Sequence, residues 1–274
     1  MKPRQRQSRI LDLLRVLQKE LKVEELAQMF DVSSLTIRRD LDVLTEEKTI
    51  IRTHGGCLSV GRAALETEYH QKVAKNFDLK RSIATAAQEF VRPGDVLLLN
   101  DGSTTFHVGM QVGIGGNCTI YTNSLAMVAE FSRFKGVRLF LLGGEYDEDY
   151  YSIRGSLTEH VLEALSFDRV FLGTDAIDEE GNCLVSTPEE ARLAQVMLRS
   201  GRFSVLVADY TKVRAKGYVA YGNLSDFDVW ITNPDLSQSD RARYSQRTRI
   251  VTAPNRENND MESEGSTNDA SPNA

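Results

Sequence analysis

The 274-residue chain is 41% hydrophobic and 26% charged with six prolines, the composition of an ordinary folded protein long enough for two domains. Its net charge of −6 is uneven: residues 1–60 carry +2, 61–250 carry −4 and 251–274 carry −4, which excludes a coat over nucleic acid and puts any such contact near the amino terminus. No apolar run approaches the ~20 residues that span a bilayer, the opening residues lack a secretory stretch, and Cys57, Cys118 and Cys183 are scattered, so the chain is expected to be cytoplasmic, without membrane contact, disulfide framework or cysteine-held zinc.

Residues 6–44 carry helical periodicity. Ile10, Leu13, Leu14 and Leu17 share one face, then Val23, Leu26, Ala27 and Phe30, then Leu35, Ile37, Leu41 and Leu44. Three short helices are predicted, the third starting at Ser33, a good N-cap after the tight Asp31-Val32 connection. Thr49 to His54 alternates like a strand and ends at Gly55-Gly56. Three helices and a β wing predict a winged helix-turn-helix over residues 1–58.

On the third helix the apolar positions leave Ser34, Thr36, Arg38 and Arg39 facing outward. A recognition helix enters the major groove with its first turns, where small hydroxyls approach base edges and arginines bond phosphate or guanine. Arg52 and His54 on the wing are placed to reach adjacent phosphates or the minor groove. A solvated helix face with local ion pairs describes most Arg-Arg-Asp runs equally well, and spacing alone leaves both readings open.

Residues 59–79 hold few apolar anchors and many charges, and are predicted to be a linker. From 80 to 250 apolar runs at 96–99, 119–122, 137–142, 170–172, 204–208 and 229–232 alternate with amphipathic segments near 80–91, 105–112, 124–133, 157–165 and 188–200. Continuous strands separated by helices predict an open, mostly parallel α/β domain covered on both faces. Residues 251–274 have almost no large apolar side chains and are predicted to be a disordered acidic tail.

Polar groups collect just beyond these strands, where open α/β sheets bind ligands. Gly102, Ser103, Thr104 and Thr105 open a helix after an apolar strand, an arrangement that favours a phosphate, although hydroxyls there often serve only as caps. Thr122, Asn123 and Ser124 suit sugar hydroxyls or a plain turn, and Gly143-Gly144 gives another strand end unusual backbone freedom. Asp175, Glu190 and Lys212 offer carboxylates and an amine to the same crevice, while Thr187-Pro188-Glu189-Glu190 also reads as a capping box. The histidines His54, His70, His107 and His160 lack ligand spacing, so no metal is expected and they read as surface or cap residues.

Taken together, Val23-Glu24-Glu25-Leu26-Ala27, Val32-Ser33 with Thr36-Ile37-Arg38-Arg39-Asp40-Leu41, and Arg52-Thr53-His54-Gly55-Gly56 resemble the DeoR family of bacterial transcriptional regulators. The order Gly-Ser-Thr-Thr, Thr-Asn-Ser, Leu-Gly-Gly, Phe-Leu-Gly-x-Asp, Glu-Ala and Ala-Asp-x-x-Lys is similar to the sensor domain of the same family. The resemblance covers roughly residues 6–235. It implies operator contacts from Ser33, Ser34, Thr36, Arg38 and Arg39, with His54-Gly55-Gly56 closing the wing. It also implies a sensor fold like ribose-5-phosphate isomerase and a phosphorylated sugar effector. Gly102, Ser103, Thr104 and Thr105 would hold the phosphate, with Thr122, Asn123, Asp175, Glu190 and Lys212 around the sugar.

Three positions depart from the family pattern. Gln18 to Lys22 lacks the usual glycine and is about a residue longer, Asn100 replaces the usual aspartate, and Ala194 replaces the usual lysine.

The expected function is a DNA-binding repressor of a carbohydrate catabolic operon, not an enzyme and without cofactor. It would bind double-stranded operator DNA as a homo-oligomer, dimer or tetramer, because one short recognition helix contacts few bases. The alternative is a sugar-phosphate isomerase with a DNA-binding appendage, using Asp175 or Glu190 as general base. Ala194 removes one electrophilic partner for that chemistry.

Overall fold

A computed structural model describes residues 3–17, 21–46, 50–53, 55–59, 72–73, 75–131 and 134–254, and the chain divides into two units between residues 71 and 72.

The first unit contains helix α1 (Pro3–Leu17), the short strand β1 (Leu21–Lys22), α2 (Val23–Phe30), α3 (Ser34–Glu46) and the hairpin β2 (Ile50–Arg52) and β3 (Gly56–Ser59). A left-handed Asp31 ends α2, with its N–H on Gln28 O and that of Val32 on Ala27 O. Ser33 then caps α3, its hydroxyl accepting from Thr36 N at 3.2 Å. The strands form a small antiparallel sheet in the order β1-β3-β2. Glycine is required where β1 meets β3, because a Cβ at Gly56 would lie 2.1 Å from Leu21 O.

Ile10, Leu14, Val23, Leu26, Ile37, Leu41, Leu44, Ile50 and Cys57 form the core of this unit. Leu35 does not join it and is 59% exposed. It lies two residues before Ile37, about 200° round the helix, so it cannot share the face of Ile37, Leu41 and Leu44. Asp40 is buried instead, beneath Arg6 and Gln7 of α1.

The first long helix of the second unit, α4 (Phe77–Ala87), begins three residues inside the span expected to be linker and otherwise lies in the amphipathic segment expected from residue 80. Ile83, Ala84, Ala86 and Ala87 bury its inner face. There follow β4 (Val96–Leu99), α5 (Ser103–Gly115), β5 (Cys118–Thr122), α6 (Leu125–Phe131), β6 (Val137–Leu141), the hairpin β7 (Glu145–Asp147) and β8 (Ser152–Arg154), and α7 (Ser156–Glu163). The chain continues through β9 (Arg169–Leu172), β10 (Ala176–Ile177), β11 (Asn182–Val185), α8 (Pro188–Arg199), β12 (Ser204–Val207), β13 (Val219–Asn223), β14 (Val229–Thr232), α9 (Gln238–Tyr244) and β15 (Arg249–Thr252). β15 enters the span expected to be tail, because its parallel register with β14 runs to Thr232 and Thr252 and Ala253 is buried behind it.

Seven strands make one parallel sheet in the order β15-β14-β12-β9-β4-β5-β6. Alternate residues of each central strand feed different cores. Leu98, Leu172, Leu206 and Trp230 pack on one face with α8 residues Ala191, Ala194 and Met197. Leu97, Leu99, Phe171, Val205 and Ile231 pack on the other with α4 and α5. Burial on both faces is why these strands read as unbroken apolar runs.

Chain order reverses direction at β4 and β9: the sheet grows through β5 and β6 on one side, and through β12, β14 and β15 on the other. The carboxyl ends of β4 and β9 therefore flank a topological switch point, where open sheets leave a crevice.

Candidate functional site

The first unit presents the outer face of α3. Arg38 and Arg39 are exposed, Ser34 and Thr36 are half-buried, and the exposed Ser33 shares its hydroxyl with that of Thr36 at 2.9 Å. Arg52, half-buried on β2, approaches Asp42 of α3 at 3.9 Å, and its Nη1 is buried without a hydrogen-bond partner. His54 lies outside the described residues. The inner side of α3 is anchored by Asp40, whose carboxylate accepts from Arg6 Nε at 2.5 Å and Gln7 Nε2 at 3.1 Å.

In the second unit, Asn100 spans the switch point. Its Oδ1 accepts from Thr105 Oγ1 at 2.9 Å, Gly102 N at 3.4 Å and Gly173 N at 3.3 Å, joining the ends of β4 and β9. The buried Thr105 hydroxyl also meets Asn100 O and Gly102 O, so it holds the loop together. Gly102 is the N-cap of α5 and no side chain caps the helix. The hydroxyls of Ser103 and Thr104 have no hydrogen-bond partner among the described residues, which leaves them beside the uncapped first N–H groups of a 13-residue helix. Such an end attracts an anion.

At the end of β5 the hydroxyls of Thr122 and Ser124 accept from Ser124 N and Met127 N, the work of a turn and a cap. Asn123 is wholly buried, donates Nδ2 to Ile153 O at 3.1 Å and leaves Oδ1 without a partner. Gly143 O accepts from Thr158 Oγ1. A Cβ at Gly144 would lie 2.1 Å from Thr158 Oγ1, so this glycine lets the chain pass close to α7, whereas a Cβ at Gly143 would meet nothing within 4 Å.

Asp175 accepts from Ser186 Oγ at 2.8 Å, and Glu190 accepts from Ser186 N at 3.2 Å while its own N–H meets Thr187 Oγ1. Burial, then the charges of Asp101 and Asp175, raise the Glu190 carboxyl to about 7, against the opposing pull of Arg154.

Arg154, 7% exposed in its side chain, lies at the centre of this group. It pairs with Asp101 at 2.9 Å, approaches Asp147 at 3.6 Å, donates to Ser152 Oγ and stacks 3.7 Å from the ring centre of Tyr150. Asp101, Asp147, Tyr150 and Arg154 escape sequence reasoning because they meet across 53 residues of chain and follow no period.

Lys212 belongs to a second group, with Lys80, Asp209 and Lys75. Burial and the neighbouring Lys212 lower the Lys80 ammonium to about 8, and it donates to Lys72 O and Lys75 O. Asp209 is wholly buried, accepts from Thr211 and keeps Oδ2 without a hydrogen-bond partner. His107, expected at the surface, is buried on α5, where desolvation lowers its pKa and its Nε2 meets Val73 O at 3.2 Å.

Among the described residues no group of three or more His, Cys, Asp or Glu side chains is placed to hold a metal ion, and no helix is long and apolar enough to cross a membrane.

Comparison with known proteins gives matches to both units. Residues 6–62 match the DeoR-like helix-turn-helix domain, and residues 75–234 match the DeoR C terminal sensor domain. The HTH-type transcriptional regulator GlpR of Haloferax volcanii is 32% identical over 88% of this chain and 94% of its own. The transcriptional repressor AccR of Agrobacterium fabrum is 31% identical over 83% and 88%. The glycerol-3-phosphate regulon repressor of Escherichia coli is 30% identical over 85% and 92%. Among solved structures, ribose 5 phosphate isomerase A from Neisseria gonorrhoeae is 17% identical with a TM-score of 0.34, covering 50% of this chain and 53% of that one.

Proposed function

The chain belongs to the DeoR family of transcriptional regulators, and we propose that it is a repressor of a carbohydrate operon that leaves its operator when a phosphorylated sugar fills the crevice of the second unit. The relatives it matches are regulators rather than enzymes. The observation that carries the effector reading is the uncapped start of α5 at the β4–β9 switch point, with free hydroxyls at Ser103 and Thr104.

In this reading Arg38 and Arg39 contact the operator backbone or guanine, Ser33, Ser34 and Thr36 approach base edges, and Arg52 and His54 extend the footprint from the wing. A homo-oligomer places paired recognition helices on two half-sites, and dimer and tetramer both satisfy that geometry. In the crevice Gly102, Ser103 and Thr104 hold the phosphate with Lys212 nearby, Thr105 shapes the loop, and Asn123, Asp175 and Glu190 face the sugar. Thr122, Ser124, Gly143 and Gly144 build the walls. An effector works by binding the DNA-free arrangement more tightly than the DNA-bound one.

The test is fluorescence anisotropy of the full chain on DNA from upstream of its own gene, titrated with phosphorylated sugars and their unphosphorylated counterparts. Specific binding released by one phosphosugar and not by its free sugar supports the reading. A chain that prefers no upstream DNA, or whose binding no phosphosugar changes, overturns it.

A further inference from the structure

The two edges of the large sheet are finished differently. β15 has exposed Arg249 and Thr252 at its ends and half-buried Ile250 and Val251 between them, whereas β6 is apolar in four of its five residues, with Phe140 36% and Leu141 41% exposed. β6 also runs in unbroken register with β5, from Cys118 and Val137 to Thr122 and Leu141, and contains no proline or lysine. Leu142 N donates to Thr122 O, which sets the alternation along the strand. Arg138, Phe140 and Leu142 turn their backbone groups towards β5, while those of Val137, Leu139 and Leu141 point outward, without a partner among the described residues. A flat apolar edge with free N–H and C=O groups is a template for another strand.

This strand is its own complement. Antiparallel pairing of two copies about a two-fold axis at Leu139 sets Leu139 against the partner's Leu139, and Val137 against the partner's Leu141, on one face of the sheet. On the other face it sets Arg138 against the partner's Phe140. Within one chain the Arg138 guanidinium already lies 5.3 Å from the centre of the Phe140 ring, so the pairing repeats that cation–π contact between copies. Centring the axis on Arg138 would set two guanidiniums side by side, and centring it on Phe140 would set Arg138 against the partner's Leu142, which is buried.

A five-residue strand is about 17 Å long, too little by itself for the roughly 800 Å² per partner of a stable dimer. The flank of α7 widens the surface. Thr158 and Leu162 are the buried side of this helix, and Thr158 Oγ1 donates to Gly143 O, just beyond β6, at 2.9 Å. Glu159 lies about 100° to one side and pairs with Arg192 of α8 at 2.7 Å. Leu157 and Val161 lie on the other side, away from α8, and both are exposed. A two-fold axis perpendicular to the sheet keeps both copies of α7 on one face, so these apolar flanks meet above the joined strands.

We propose that the second unit dimerises edge to edge through β6, making one continuous sheet with seven strands from each copy and the two α7 helices packed over the seam. The inference rests on the regulator reading for the need of a second copy, since one recognition helix contacts few bases, and it adds the surface and the register.

The experiment is sedimentation velocity of the full chain over a range of concentrations, combined with cysteine cross-linking. Phe140→Lys sets an ammonium against the partner's Arg138 and should weaken the dimer by at least about tenfold, and adding Arg138→Glu should restore association. Cys57, Cys118 and Cys183 are buried, so an introduced thiol is the one that reacts. At the axis the paired Cα atoms are about 5.5 Å apart, within disulfide reach, while the two copies of Leu141 are separated by about 13 Å along the strands. Leu139→Cys should therefore give a disulfide-linked dimer on mild oxidation, Leu141→Cys should not, and Val137→Cys with Leu141→Cys should.

Leu139→Cys tests the seam even if Phe140→Lys alters folding. An oligomer in which Leu139→Cys does not cross-link, or that a folded Phe140→Lys variant leaves intact, overturns the inference and leaves the repressor reading standing. A chain that stays monomeric both free and on operator DNA overturns the inference together with the paired-helix part of that reading.

Discussion

Arg6 Nε lies 2.5 Å from Asp40 Oδ2, both side chains about 95% buried, and so ties the first helix of the winged domain to the inner side of its recognition helix. The outer side of that helix bears Arg38 and Arg39. Three consecutive residues, Arg38, Arg39 and Asp40, thus divide their charges between holding the helix and facing solvent. Breaking a buried pair by removing one partner strands the other charge, at a cost of about 3 kcal/mol or more. Asp40→Ala should lower stability by about that amount in urea unfolding, while Arg6→Leu combined with Asp40→Leu should recover much of it. Equal losses in the single and double variants would show that the pair does not act as a unit.

Arg39 makes the opposite prediction. Exposed and without an ion-pair partner among the described residues, it should be replaceable by alanine with a stability change within about 0.5 kcal/mol. Loss of a phosphate contact should instead weaken DNA binding across sequences and reduce the slope of log K against log salt by about 1. Anisotropy titrations over a range of salt concentrations measure both quantities, and an unchanged affinity and slope would remove Arg39 from the interface.

Glu190 predicts a pH dependence of a definite sign. Its folded-state pKa is raised from an ordinary 4.5 to about 7, chiefly by burial and then by Asp101 and Asp175. Between those values the folded chain binds more protons than the unfolded one, so the stabilising contribution of protonation is present below about 4.5 and is lost as pH rises through about 7. The loss is on the order of 2 kcal/mol, since one pKa unit corresponds to about 1.4 kcal/mol and partial solvation takes a share. Denaturant unfolding at pH values on either side of that window should show the wild type losing this much more stability than Glu190→Gln. Parallel profiles would place the charge elsewhere.

The sequence carries the sheet and the recognition helix more clearly than it carries the crevice, and the reason is physical. Leu97, Leu98 and Leu99 announce β4 because both faces of that strand are buried. Val229 to Ile231 announce β14 in the same way. β7 hides because Glu145 and Tyr146 are exposed, and β15 hides because Arg249 and Thr252 are exposed, so neither has an apolar signature. Gly102, Ser103 and Thr104 are legible as a helix start after a strand, since that signal is local. Arg154 is not legible, because its burial depends on Asp101 and Tyr150 arriving from other elements. Nor does a hydroxyl disclose its partner: Thr105 turns inward onto Asn100, while its neighbours Ser103 and Thr104 do not.

Gly102 separates the phosphate reading from a purely structural role for the loop. Its φ of −65° is open to any residue, so alanine there adds no backbone strain. The added Cβ would lie 3.0 Å from Thr105 Oγ1 and 3.2 Å from Asn100 Oδ1, inside the staple that joins β4 to β9. Those neighbours must give by a few tenths of an ångström, and the first turn of α5 must move with them. Gly102→Ala should therefore cost about 1 kcal/mol of stability, the usual scale of a tight insertion, and leave the sheet intact. Its effect on the effector should be larger, because anion binding depends on the direction of the first N–H groups of the helix. Phosphosugar affinity should fall by about tenfold or more while operator affinity without effector stays at the wild-type value. Calorimetry and anisotropy on the same preparation test the two halves, and an unchanged phosphosugar affinity would move the phosphate away from the start of α5.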